Sequence, residues 1–155
     1  MPPTLASARE EFIRHMYRDN VVTERPRMLA VLDAVIAWSA AHPGHVRFSP
    51  DGNAKGAIRF EEVATGSAFW VATPRRHNSP LLQILPGSSR FLTAEERSAA
   101  VTSLNTHTTE LNPAGRMHIG FGALKNPARR EAVFQLMDEL LDKVQAGRST
   151  ASVRA

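Results

Sequence analysis

The sequence contains no cysteine, which removes disulfides, thiolate nucleophiles and thiolate-held zinc or iron–sulfur centres from consideration. Redox chemistry would need a borrowed cofactor, and no cofactor is expected. Lysine is scarce as well: Lys55, Lys125 and Lys143 are the only three, against sixteen arginines. That bias fits a GC-rich genome as readily as a need for planar, bidentate guanidinium contacts. Nowhere do 18 apolar residues run together, so no membrane-spanning helix and no membrane partner are expected. The opening stretch "MPPTLASAREEFIRHMYRD" has no apolar run of the secretory kind and turns acidic at Glu10 and Glu11, which points to a cytoplasmic protein.

What is present is an ordinary globular composition, 43% hydrophobic and 22% charged over 155 residues, enough for one core without staples. A single domain over residues 1–147 is expected, followed by a disordered tail at 148–155. The net charge of +4 is unevenly placed. Residues 63–130 hold eight basic against three acidic side chains, an excess of +5, whereas the flanking stretches together come to −1. A concentrated excess can steer anionic partners, although scattered solubilising arginines would give the same total.

Periodicity orders the elements. Leu5, Phe12, Ile13, Met16 and Tyr17 form an apolar stripe over about 5–18. A second helix over about 24–41 has Thr23 as N-cap, Pro26 in the first turn and Met28, Leu29, Leu32, Val35 and Ile36 on one face, and "HPG" at 42–44 stops it. The period then drops to two: Val46 and Phe48 oppose His45 and Arg47, and Ile58 and Phe60 oppose Arg59 and Glu61, with "PDGNAKG" as the hairpin connection. "SAFWVAT" and "PLLQIL" read as central strands. Thr93 to Glu96 has capping-box spacing and opens a helix to about 107. "RMHIGF" alternates again, with Arg116 and His118 outward. The last helix starts at Asn126 and Pro127, aligns Val133, Leu136, Met137, Leu140, Leu141 and Val144, and closes at Gly147. The resulting fold class is α+β, a mostly antiparallel five-stranded sheet with helices on one face, in the order α-α-β-β-β-β-α-β-α.

If the alternating strands share one sheet, its second face gathers Arg47, Arg59, Arg116 and His118, bidentate donors suited to phosphate or carboxylate. The plain alternative is a wet sheet face on which Glu61 and Glu62 pair the arginines. Phe69 and Trp70 alternate, so one of them would join this surface and the other the core. The turn carrying Arg75, Arg76 and His77 is either a solvated loop or a phosphate-contacting tip. In "GFGALKNPARR", Lys125 and Arg129 flank a helix N-terminus whose N–H groups favour an anion, although neither phosphate-loop fingerprint is matched.

Other chemistries are poorly supported. His42 and His45 lack a third ligand, so no metal is expected. Asp51, Glu61 and Glu62 superficially resemble the acidic ladder of restriction-type nucleases but lack the following lysine. Ser67, Ser79, Ser88 and Ser89 lie in no nucleophile elbow.

The succession "IRF" (58–60), "AFWVATP" (68–74), "LLQIL" (81–85), a helix, "RMHIGF" and an apolar last helix resembles a small α+β domain that occurs alone or attached to restriction-associated and so-called predicted transport proteins. The resemblance spans about 27–145. It implies the fold and carries over no catalytic residue; arginine stands where the family would have lysine on the early strands, and the loop at 86–93 is longer. The favoured function is a non-catalytic binding domain for an anionic partner, nucleic-acid phosphate or an acidic protein surface, through Arg47, Arg59, Arg75, Arg76, His77, Arg116, His118, Lys125 and Arg129. Two alternatives stay open. One is an enzyme on an acidic metabolite with His118 or His45 as general acid/base beside Trp70. The other is a homodimerisation or partner-docking module using the same face or the "PLLQIL" strand.

Overall fold

The computed structural model describes residues 4–16, 24–50, 54–75, 79–85, 92–106 and 117–154. The expected capping role of Thr23 lies outside them. Helices α1 (Leu5–His15) and α2 (Glu24–Ala40) precede four strands, β1 (Val46–Phe48), β2 (Ile58–Glu62), β3 (Ala68–Thr73) and β4 (Leu81–Ile84). Helix α3 (Ala94–Asn105), strand β5 (His118–Gly120), a one-turn helix α4 (Phe121–Leu124) and the long α5 (Pro127–Arg154) complete the chain. The expected order and class are therefore found, with α4 and a 3-10 turn at Ala54–Gly56 as additions.

The strands form one antiparallel meander in the order β1-β2-β3-β4-β5. Its register separates two faces. Ile58, Ala72, Leu82 and Ile119 align across the sheet and are buried under the helices. Phe48, Phe60, Trp70 and Ile84 make the next row, with the Phe60 and Trp70 rings stacked 4.6 Å apart. The opposite face carries Arg47, Arg59, Glu61, Val71, Gln83 and His118.

Alternation fails at one place. The β2–β3 register shifts between Phe60 and Glu61, so Glu61 pairs with Ala68 and Phe69 is the extra residue of a β-bulge. Phe69 and Trp70 are both fully buried, and both meet the end of α2: Phe69 stacks on Trp38, and the Trp70 indole donates to Ser39 Oγ at 2.8 Å. Neither aromatic joins the second face, contrary to the sequence expectation. The fully buried stripe of α2 is Met28, Val31, Leu32, Val35, Trp38 and Ser39, and the expected Leu29 and Ile36 pack half-buried against the same core.

Caps and ties fix the helices. Thr4 and Ser7 form a capping box at α1, and Thr93 and Glu96 form the expected one at α3. Helix α1 ends earlier than its apolar stripe suggests, because Met16 takes an extended backbone and tucks its side chain into the core. A two-pronged ion pair joins α1 to α2, with Arg9 Nε 2.8 Å from Asp33 Oδ1 and Nη2 2.9 Å from Oδ2. It also holds the Arg9 guanidinium above its ordinary pKa. Gly56, at φ 81°, lies so close to α1 that an added Cβ would stand 2.9 Å from the Glu11 carbonyl oxygen and from His15. Helix α5 does not stop at Gly147 but continues to Arg154.

Candidate functional site

The expected cationic residues do share the face away from the helices, but they do not form one cluster. Arg59, Val71, Gln83 and His118 are successive partners along one cross-strand row. Three interstrand spacings separate Arg59 from His118, roughly 14 Å. Arg47 lies diagonally across from Arg59 on the neighbouring strand, a separation of about 7–8 Å between backbones. The face thus has an arginine pair at its β1–β2 edge and a histidine at its β5 edge, with Val71 and Gln83 between.

The arginine pair contains its own carboxylate. Arg47 Nε donates to Glu61 Oε1 at 2.8 Å, and the two residues are direct cross-strand partners. Arg47 remains 56% exposed while the Glu61 side chain is 15% exposed. Arg59 is half-buried and donates from Nη2 to the Gly66 carbonyl at 3.2 Å. Glu62 takes no part, because it points to the helix side, where its buried carboxylate accepts from the Thr65 N–H at 2.9 Å and hydroxyl at 2.7 Å.

The remaining described candidates are directed elsewhere. Arg75 folds back onto its own loop, donating from Nε to the Ser79 carbonyl at 2.6 Å. Arg76, His77 and Arg116 lie outside the described residues, as does Asp51. Lys125 reaches Glu24 at 2.6 Å, and this hydrogen bond holds the Glu24 carboxyl below its ordinary range. The first N–H groups of α5 are already served, since Asn126 Oδ1 accepts from Ala128 at 2.9 Å and Arg129 at 3.2 Å. Arg129 itself is exposed beside them. An anion cradle at this terminus would have to displace its own cap.

His45 also leaves the set. Its Nδ1 meets the Gln145 amide nitrogen of α5 at 2.6 Å, so the ring is tied to the helix rather than to the arginines. His42 sits at the α2 C-terminus with Nδ1 2.8 Å from the Trp38 carbonyl and Nε2 3.1 Å from Asp138. The Trp38 indole donates to the same Asp138 oxygen at 2.9 Å, a junction between α2 and α5 that its sequence spacing does not announce. Among the described residues, no group of three or more metal-ligating side chains is assembled. Trp70 is buried on the helix side and His118 stands on the other face, so they do not line a common pocket.

Among the described residues no helix is long and apolar enough to cross a membrane. No family model matches the sequence, and no curated protein or solved structure matches it either.

Proposed function

We propose that this domain is a non-catalytic binding module that docks an acidic protein surface on the face of its sheet opposite the helices. The observation that carries the reading is the diagonal placement of Arg47 and Arg59 on that face, within the span of a single carboxylate-bearing patch. Two features favour protein over nucleic acid. The described side chains of this face include no aromatic ring beyond the His118 imidazole, so single-stranded bases find no stacking platform. Glu61 also sits within the arginine pair and opposes the dense charge of a phosphate backbone.

The test is fluorescence anisotropy of a labelled dodecamer of glutamate, run beside 20-nucleotide single- and double-stranded oligonucleotides over a salt series. The peptide is expected to bind at low salt, and replacing Arg47 and Arg59 together by alanine should weaken it by about five- to tenfold, the loss of one to two charge-assisted contacts near a surface. Equal affinity in the double variant overturns the reading. Tighter binding of the oligonucleotides with the same sensitivity to the two arginines would transfer the face to nucleic acid.

A further inference from the structure

Among the described residues, Arg47 is held by one edge of its guanidinium only. Nε is occupied by Glu61, and among the described residues the two terminal nitrogens make no hydrogen bond or ion pair. A partner carboxylate can therefore dock end-on at the terminal nitrogens without displacing Glu61. It would then lie about 6 Å from the Glu61 carboxylate, within unscreened reach of a like charge.

We propose that Glu61 is a resident counter-charge that sets the strength and selectivity of this face: it orients Arg47 for an incoming carboxylate while repelling it, so that an acidic peptide, with at most one charge per residue of about 3.3 Å, is favoured over duplex nucleic acid, with one charge per about 1.7 Å. The inference rests on the binding reading above. Glu61 is suited to this part because it is less exposed than Arg47 and stands directly opposite it in the register, with its carboxylate hydrogen-bonded to Arg47 Nε. Coulomb repulsion at about 6 Å corresponds to roughly three- to tenfold in affinity, depending on how far the surface lowers the dielectric from that of water.

The discriminating variant is Glu61→Gln, whose amide oxygen still accepts from Arg47 Nε while the charge is gone. Binding of the glutamate dodecamer should tighten about three- to tenfold at low salt, and the gain should vanish in the Arg47→Ala/Glu61→Gln double variant and shrink as salt rises. Duplex oligonucleotide binding should rise by a larger factor than peptide binding. Far-UV circular dichroism and thermal melting of each variant establish that folded proteins are being compared. If Glu61→Gln leaves peptide affinity unchanged or lowers it while the arginine double variant still weakens binding, Glu61 is only a structural partner, and this inference falls with the binding reading intact. If no variant and no probe binds, both fall.

Discussion

Three glycines allow backbone conformation and packing to be weighed separately. Gly44 has an ordinary φ and nothing within 4 Å of an added Cβ; Gly66 has open space but φ 69°; Gly56 has φ 81° and a Cβ position 2.9 Å from backbone and side-chain atoms of α1. Alanine at Gly44 should change stability by less than about 0.5 kcal/mol. At Gly66 the left-handed conformation costs about 1–2 kcal/mol for an L-residue, offset by roughly 0.4–1 kcal/mol from a less flexible unfolded chain, for a net loss of about 1 kcal/mol. Gly56→Ala adds a clash that flexible side-chain motion does not relieve, because the Glu11 carbonyl belongs to a helix anchored by buried Ala8, Phe12 and Met16. Overpacking of this kind costs about 1–3 kcal/mol more, so the total is about 2–4 kcal/mol. For a chain of this size that corresponds to roughly 5–15 °C in Tm. Urea unfolding followed by far-UV circular dichroism should order the variants Gly44, Gly66, Gly56 from least to most destabilised. Gly56→Ala falling within 0.5 kcal/mol of Gly66→Ala would refute the close approach of α1 to the turn.

Asp138→Ala removes the carboxylate that accepts from the Trp38 indole N–H and faces His42 Nε2, so a loss of about 1 kcal/mol in chemical denaturation is expected; a change under 0.3 kcal/mol would mean that this junction does not help to hold α5. Lys125→Met should return the Glu24 titration, followed by carboxyl carbon NMR, upward toward the ordinary carboxylate range. Because the folded-state pKa is depressed, the stabilisation from that pair is present above the ordinary carboxylate pKa and lost as pH falls through the folded value, so the variant should show a shallower acid limb. Asn126→Ala should cost about 1 kcal/mol by uncapping α5, read from thermal melts.

The elements that repeat a local period were legible. Asn126 with Pro127, and Thr93 with Glu96, declare their helix starts because a cap acts within three residues. Arg47, Arg59 and His118 share a face because alternation along each strand is local too. Their separation was not legible, since it depends on strand order, which puts β1 and β5 on opposite edges. The burial of both Phe69 and Trp70 follows from a mismatch in pairing between two strands, a property of neither strand alone. Lys125 looked like an anion ligand beside a helix start, and its actual partner, Glu24, is 101 residues away. The end of β4 was set by backbone conformation: Leu85, apolar like the strand before it, turns to φ 53° while its N–H bonds the Phe69 carbonyl at 2.7 Å.

The meander has a kinetic corollary. Only five residues separate β2 from β3, whereas 33 lie between Ile84 and His118, so bringing β5 to its neighbour forfeits roughly 1.5–2 kcal/mol more chain entropy than closing the earlier hairpin. The β5 edge is therefore expected to zip up last and to fray first, which hydrogen exchange can follow through the Ile84 amide bonded to the Met117 carbonyl and the Glu62 amide bonded to the Ser67 carbonyl. The arginine-bearing edge would stay assembled while the histidine-bearing edge opens and closes.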